Sequence, residues 1–281
     1  MRINLAKSAG FCFGVKRAIK IALELASSGN NVEMLGDIVH NETVVEGIKK
    51  AGVDKVSRLK CGRNKILLIR AHGACEKTIQ KAKTLGYRIV DATCPMVKEI
   101  HKIVKAYDKN GYRIVIIGDQ KHDEVHGIAG QVDNKAIIIS DENKIPLNKL
   151  RLNDKLCLVS QSTQTEKKVN KIYSLIKPCV KELKFFNTIC APTRAKQKEI
   201  KDMPLKNDVM IVIGSRTSAN TKRLYEISWR LNKRTYWVED PAELQKQWFR
   251  HAKNIGVTSG ASTPCQTTDQ IIKKIKNFNV K

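Results

Sequence analysis

The sequence predicts an α/β protein, because apolar strand-like runs alternate with amphipathic helix-like runs along the whole chain. Short, wholly apolar runs such as Ile66 to Ile69 and Val209 to Ile213 are typical of strands buried in parallel sheets. A strand-like run, a cysteine and a helix-like run occur in that order three times, at Cys12, Cys94 and Cys190. These units divide the 281 residues into rough thirds, which indicates three similar α/β lobes.

In the first third, a strand-like run from Ile3 to Leu5 precedes Cys12. The helix after it starts near Val15, repeats its apolar residues at helical spacing, and ends at Gly29. The elements predicted next are a strand at 32–35, a helix from about 42, a strand at 65–70, a helix from about 75 and a strand at 87–90.

The middle third opens with a helix at 95–107, whose first residue is Pro95. It continues with predicted strands at 112–117, 136–139 and 156–159 and a helix at 165–176. The last third has predicted strands at 208–213, 235–238 and 255–257, with helices between and after them.

Polar side chains follow these strands, at the edge where ligands bind in open α/β sheets. Three of the strand-end loops carry a histidine, and others carry clusters of hydroxyl and amide groups. The residues concerned are His40, His72, His122 with Glu124, Ser162, Ser218 with Asn220, and Ser262. Taken alone, Ser218 and Ser262 would be ordinary helix caps, and His101 and His251 are interpreted as surface or capping residues.

Eight cysteines without a secretion signal argue against a disulfide framework, and the chain has no C-x-x-C pair. This excludes zinc ribbons, thioredoxin-like redox pairs and ferredoxin-type cluster loops. A helix N-terminus favours the thiolate, so three thiolates from distant parts of the chain could bind a soft metal or an iron–sulfur cluster. The other cysteines are interpreted as small buried apolar side chains: Cys61, Cys157 and Cys179, and with less support Cys75 and Cys265.

The formal charge of +25 is compatible with nucleic-acid binding, but the lysines are spread over every predicted helix and aromatic residues make up only 5%. We therefore interpret the charge as a solvated, lysine-rich surface that attracts an anionic substrate or an acidic electron carrier. No apolar run is long enough to span a bilayer, and no signal peptide is evident, so we expect a cytoplasmic protein.

His122 and His126 are spaced as in a zinc protease, with Glu124 between them. That motif requires Glu directly after the first His and a helix around both histidines, and neither is evident, so we reject it.

An ordered set of motifs covers the chain from end to end. The motifs are Ala9-Gly10-Phe11-Cys12-Phe13-Gly14-Val15, Ile38-Val39-His40-Asn41, Arg70-Ala71-His72-Gly73, Asp91-Ala92-Thr93-Cys94-Pro95, Asn187-Thr188-Ile189-Cys190, Gly214-Ser215 and Gly260-Ala261-Ser262-Thr263-Pro264. In this the chain closely resembles the 4-hydroxy-3-methylbut-2-enyl diphosphate reductases (LytB family), the last enzymes of the methylerythritol phosphate route to isoprenoids.

The resemblance implies three lobes in a pseudo-threefold arrangement around one 4Fe–4S cluster held by Cys12, Cys94 and Cys190. The implied lobes span residues 13–93, 94–189 and 190–281, and the strand within 1–12 completes the third. Four motifs depart from the family pattern: Asp123 replaces a proline, Ser162 a threonine, Ala219 a serine, and Lys196 an arginine. These departures affect substrate contacts more than the cluster.

The implied reaction is a two-electron reductive dehydroxylation of an allylic diphosphate. The iron that lacks a cysteine would bind the substrate hydroxyl, and Glu124 would be the general acid, with Ser162 as a relay. The diphosphate would contact His40, His72, His122, Ser218, Asn220 and Ser262. Because no flavin or nicotinamide motif is visible, we expect an external one-electron donor, ferredoxin or flavodoxin, and a monomeric enzyme.

Two alternatives remain open at this point. One is another three-lobed iron–sulfur enzyme, such as quinolinate synthase, although Cys12-Phe13-Gly14-Val15 and Ala261-Ser262-Thr263-Pro264 favour the reductase. The other is a zinc-stabilised or basic RNA-binding module, which metal analysis of anaerobically purified protein would separate from both enzymes.

Overall fold

The computed structural model describes residues 1–151 and 155–278, and these form three four-stranded sheets in which every strand pair is parallel. The predicted fold class is thus confirmed. The strands are β1 (Arg2–Leu5), β2 (Asn31–Leu35), β3 (Val53–Val56), β4 (Lys65–Ile69), β5 (Arg88–Asp91), β6 (Arg113–Ile117), β7 (Ile137–Ile139), β8 (Lys155–Ser160), β9 (Glu182–Phe185), β10 (Val209–Ile213), β11 (Thr235–Val238) and β12 (Asn254–Ser259).

Helices form most of the connections between these strands, as is usual for parallel pairing. They are α1 (Phe13–Ala26), α2 (Glu42–Lys50), α3 (Glu76–Thr84), α4 (Pro95–Lys109), α5 (Asp123–Ala129), α6 (Leu147–Arg151), α7 (Glu166–Ile176), α8 (Ala191–Lys206), α9 (Ala219–Leu231) and α10 (Cys265–Asn277). Short 3₁₀ turns lie at Gly130–Val132, Lys177–Cys179, Pro241–Glu243 and Lys246–Phe249. No helix in the described ranges has the length and apolarity to cross a membrane.

The three sheets share one topology. From the edge strand that precedes a cysteine, the strand orders are β1-β12-β10-β11, β5-β4-β2-β3 and β9-β8-β6-β7. In this order, each sheet has a first edge strand that precedes a cysteine (β1, β5 or β9) and a second strand (β12, β4 or β8). A third strand (β10, β2 or β6) and a far-edge strand (β11, β3 or β7) complete it. The three strand–cysteine–helix units of the sequence therefore correspond to three sheets with the same strand order.

Alternate residues of the third strands face opposite sides of their sheet, and both sides are covered. In β10, Val209, Ile211 and Ile213 belong to one apolar cluster and Met210 and Val212 to another, and all five are fully buried. The strand β6 divides its residues between two clusters in the same way. Burial on both faces explains why these strands are continuous apolar runs in the sequence.

The chain forms two compact units. One comprises Met1–Lys16, His40–Val44 and Ala191–Lys281 and contains the sheet of β1, β12, β10 and β11. The other comprises Arg17–Val39 and Val45–Cys190 and contains the two remaining sheets. The lobe boundaries given by the resemblance stay a prediction, and residues 152–154 and 279–281 of those lobes lie outside the described ranges.

The β2 strand contains a buried carboxylate, that of Glu33. Its Oε1 accepts a hydrogen bond from Lys65 Nζ at 2.5 Å, and its Oε2 accepts one from Tyr87 Oη at 2.5 Å. Burial raises the pKa of Glu33, but these two hydrogen bonds together with the positive charges of Lys65 and Lys60 outweigh burial and lower the pKa below its ordinary value.

Three elements were not predicted: β3, α5 and the short helix α6 (Leu147–Arg151). The strand β3 was not predicted, because Asp54 and Lys55 interrupt its apolar residues; as a far-edge strand it needs little burial. The helix α5 was also missed. His122 is its N-cap and His126 lies within it, so the statement that no helix surrounds these histidines is wrong. The position of Glu124 still excludes the zinc-protease motif.

Candidate active site

Each sheet places one cysteine at a helix N-terminus after its edge strand. Cys12 precedes α1, Cys94 is the N-cap of α4, and Cys190 precedes α8. All three are partly buried. The partial positive charge of a helix N-terminus stabilises a thiolate, which is the form of cysteine that binds metals.

The backbone amide of each cysteine is tied to the loop that follows the neighbouring second strand. In every case the accepting carbonyl belongs to a predicted site residue or to the residue just before one. The hydrogen bonds run from Cys12 N to Ala261 O (3.1 Å), from Cys94 N to Ala71 O (3.0 Å) and from Cys190 N to Ser162 O (3.0 Å). Within each sheet, the cysteine and a candidate substrate contact are therefore fixed to one another.

The candidate substrate contacts follow the same repeat. The loops after the second strands β4, β8 and β12 carry His72, Ser162 and Ser262. The loops after the third strands β2, β6 and β10 carry His40, His122 and Ser218. Because the carboxyl ends of parallel strands lie at one edge of a sheet, the sheets that contain β6 and β10 each present one cysteine and two polar side chains at that edge. The sheet that contains β4 presents Cys94 and His72 there, and His40 belongs to the other compact unit.

Glu124 is almost fully buried and both of its carboxylate oxygens are hydrogen-bonded to Ser162. Oε1 accepts from Ser162 N at 2.6 Å, and Oε2 accepts from Ser162 Oγ at 2.8 Å. Glu124 lies in the first turn of α5, which follows β6, and Ser162 follows β8, the neighbour of β6 in the sheet. The pair combines a buried acid with a hydroxyl that can pass on a proton.

His122 caps α5, and its Nδ1 accepts a hydrogen bond from Glu124 N at 3.1 Å. A neutral imidazole that accepts at Nδ1 carries its proton on Nε2, so His122 offers a donor at the outer nitrogen. The His72 ring lies edge-on to it, with the centroids 5.5 Å apart. Asp123, which replaces the proline of the family pattern, pairs with Arg70 Nη1 at 2.7 Å and so fixes this helix end in another way.

The remaining candidate substrate contacts belong to the compact unit that contains β10 and β12. Ser218 is the N-cap of α9 and accepts from Thr221 N at 3.3 Å. Asn220 is buried, and its Nδ2 has no hydrogen-bond partner among the described residues. Ser262 is not a helix cap, because Pro264 caps α10; its Oγ donates to His40 O at 2.9 Å. A buried amide donor without an acceptor beside a helix N-terminus suits an anionic ligand.

The loop before Cys12 is held by two charged residues of α8. Lys196 Nζ donates to the carbonyl oxygens of Ser8, Gly10 (3.2 Å) and Ser259 (3.0 Å), and Glu199 accepts from the backbone of Lys7 and Ser8. Burial lowers the pKa of Lys196 to about 8, while the nearby Cys12 thiol opposes that shift. Lys196 therefore stays mainly protonated at neutral pH. The sequence prediction noted this lysine only as a departure from the family.

The remaining cysteines and His101 do not all match their interpretation. Cys157 is buried, and burial raises the pKa of its thiol to about 12, but Cys61 and Cys265 are exposed. His101 is not a surface residue: a methyl group added at Gly73 would lie 2.7 Å from its Cε1. Burial lowers the pKa of His101 to about 4.

A family model described as "LytB protein" matches residues 3–276 of the chain. The chain belongs to the LytB family. Proteins named 4-hydroxy-3-methylbut-2-enyl diphosphate reductase are among its relatives. That of Pelobacter propionicus is 37% identical over the whole of both chains, and that of Campylobacter hominis is 39% identical over 99% of this chain and all of the relative.

Solved structures agree with this membership. One titled "Structure of (E)-4-Hydroxy-3-methyl-but-2-enyl Diphosphate Reductase, the Terminal Enzyme of the Non-Mevalonate Pathway" has a TM-score of 0.73 at 36% identity, covering 99% of this chain and all of that one. The E-1-hydroxy-2-methyl-but-2-enyl-4-diphosphate reductase from Plasmodium falciparum has a TM-score of 0.86 at 29% identity, covering 97% of this chain and 87% of that one. The resemblance to the LytB family stated from the sequence is confirmed.

The LytB family carries an iron–sulfur cluster. The donor set in this chain fits such a group, because three partly buried cysteines lie at helix N-termini and repeat from sheet to sheet.

Proposed function

We infer that this chain reduces 4-hydroxy-3-methylbut-2-enyl diphosphate to isopentenyl and dimethylallyl diphosphate, the terminal step of the non-mevalonate pathway. The observation that carries this inference is the repeat, in each sheet, of one cysteine with one or two polar residues at corresponding strand ends. Quinolinate synthase and an RNA-binding module are not favoured, because full-length relatives carry the reductase name.

Cys12, Cys94 and Cys190 are the residues that would hold one 4Fe–4S cluster per chain, leaving one iron without a protein ligand. When bound, such a cluster supplies electrons one at a time and an iron that acts as a Lewis acid. A pseudo-threefold arrangement of the lobes belongs to the same proposal.

The reaction breaks the allylic C–O bond, and the carbon skeleton gains two electrons and one proton. A second proton must reach the departing oxygen, since hydroxide is a poor leaving group. Glu124 is the acid that supplies this proton, and Ser162 Oγ, 2.8 Å from Glu124 Oε2, is the relay. Because both carboxylate oxygens accept hydrogen bonds in the structure, Glu124 must take up a proton before it can pass one on through Ser162.

The diphosphate is bound by histidine, asparagine and serine side chains and by helix N-termini. His122 belongs to the predicted set, and Asn220 offers an amide donor that has no acceptor of its own in the described part of the chain. Ser218 is the N-cap of α9, and Asn220 lies in the first turn of the same helix, whose N-terminus favours an anion. His40, His72 and Ser262 complete the predicted set at corresponding strand ends.

Electrons come from an external one-electron donor, ferredoxin or flavodoxin. The formal charge of +25 supports this, because an acidic carrier is attracted to a basic surface. A monomeric state and a cytoplasmic location belong to the same proposal.

Anaerobic turnover of the allylic diphosphate alcohol with a reduced one-electron donor tests the function. We expect product formation and an iron-loaded protein, and loss of iron in Cys12→Ser, Cys94→Ser and Cys190→Ser. Cys61→Ser is the matched control, since Cys61 is exposed and lies at no strand end of the repeat. Equal iron loss in all four variants would refute the assignment of the ligands.

A further inference from the structure

Lys196 is a buried cation with an unusual set of partners. Its side chain is only 3% exposed, although lysine is rarely buried without a paired charge. All three of its acceptors are backbone carbonyl oxygens, those of Ser8, Gly10 and Ser259. An ammonium group has three donors, so this site uses each of them.

These carbonyls belong to two neighbouring segments of the chain near Cys12. Ser8 and Gly10 belong to the loop between β1 and Cys12, and Ser259 is the last residue of β12, the neighbouring strand. Gly10 N also donates to Ser259 Oγ at 2.7 Å. Lys196 therefore connects the loop before Cys12 to the end of β12. The loop after β12 in turn accepts a hydrogen bond from Cys12 N, through Ala261 O.

Glu199, almost one helical turn further along α8, holds the same loop from its other end. Its carboxylate accepts from Lys7 N at 2.5 Å, from Ser8 N at 3.0 Å and from Ser8 Oγ at 2.6 Å. Two opposite charges on one helix thus fix one short loop. Lys196 also donates to the carbonyl oxygen of Gly10 at 3.2 Å, two residues before Cys12, and its charge acts on the Cys12 thiol.

We propose that Lys196 is a positioning residue for the iron–sulfur cluster: it fixes the loop that presents Cys12 and supplies a buried positive charge beside that thiolate. The proposal rests on the proposed function in one respect, namely that Cys12 is a cluster ligand. A positive charge next to a cluster stabilises its reduced, more negative state and so raises its reduction potential. Groups behind the ligands of a metal site affect affinity as well as potential.

The test compares Lys196→Met, which removes the charge at similar length, with Lys196→Arg, which keeps it. Lys198→Met is the matched control, because Lys198 is exposed on the same helix. Hydrogen exchange on the cluster-free proteins should show faster exchange over residues 7–12 in Lys196→Met and unchanged exchange around Cys94 and Cys190. This readout is independent of cluster and activity, so failure of the proposed function leaves it interpretable.

The second measurement uses the reconstituted holoenzyme. Iron should be lost to a chelator faster in Lys196→Met than in the wild type, because losing a group behind a metal ligand typically lowers metal affinity about ten- to a hundredfold. The reduction potential of its remaining cluster should be more negative, and Lys196→Arg should restore both values.

Glu199→Gln separates the two roles and serves if Lys196→Met does not fold. It should speed exchange over residues 7–12 without lowering the potential, because it weakens the same loop but leaves the Lys196 charge in place. Wild-type exchange, iron retention and potential in Lys196→Met would overturn the proposal. A potential equally lowered in Lys196→Arg or Lys198→Met would do the same.

Discussion

Replacing Glu124 by glutamine tests the proton source while leaving the local structure nearly intact. The carboxylate accepts two hydrogen bonds from Ser162, one from a backbone N–H and one from a hydroxyl. Glutamine can accept the first with its oxygen and donate to the second with its amide, because a hydroxyl can also accept. The backbone hydrogen bond is therefore kept and the hydroxyl contact is reversed, so that the Ser162 hydroxyl hydrogen loses its acceptor.

The expected cost in stability is the difference between charged and neutral hydrogen bonds, about 1 kcal/mol. The expected loss in turnover is far larger, about 10²- to 10⁴-fold, because a positioned general acid contributes that much. The cluster content should not change, since no cysteine is affected.

The assay is anaerobic kcat measured with a reduced one-electron donor, together with iron content and thermal melting of the same preparations. Glu46→Gln is the matched control, because Glu46 is an exposed carboxylate on α2. A kcat for Glu124→Gln within a few-fold of the wild type would show that the proton comes from another group.

The other predictions concern substrate affinity, packing and pH. Asn220→Ala should raise KM about ten- to a hundredfold with melting unchanged, because its Nδ2 has no protein partner in the described ranges to lose. Gly130→Ala should destabilise by about 1–3 kcal/mol in urea unfolding, since the added Cβ would lie 2.0 Å from Cys75 Cβ, whereas Gly47→Ala has free space in α2 and should stabilise. The lowered pKa of Glu33 stabilises the fold above about pH 4.5; this contribution should fade as the pH falls below that value, and a Glu33→Gln variant should lose that part of the acid dependence.

Local patterns were sufficient to predict most strands. The strand β10 differs from the predicted residues by one, because a strand buried on both faces leaves a continuous apolar run. The edge strand β11 lies at the predicted residues because it is rich in aromatic and β-branched residues. The strand β3 and the helix α5 lack that signal: one is a half-exposed edge and the other a seven-residue helix that opens with two acidic residues.

Long-range polar contacts could not be predicted in the same way. Lys196 is one of 52 basic residues, and its distinguishing contacts are to carbonyl groups that lie 63 to 188 positions away in the sequence. The Glu124–Ser162 pair spans 38 positions. The family resemblance pointed to both members of that pair, but only the structure shows that one serine satisfies both carboxylate oxygens.

The central claim is that three cysteines, one from each sheet, hold a single cluster with one iron free of protein ligands. Mössbauer spectroscopy of the ⁵⁷Fe-loaded, anaerobically prepared protein tests it most directly. The account predicts about four irons per chain, with one site distinct from the other three and shifted when the diphosphate substrate is added. A colourless zinc protein, or a cluster whose irons are all equivalent and indifferent to substrate, would contradict it.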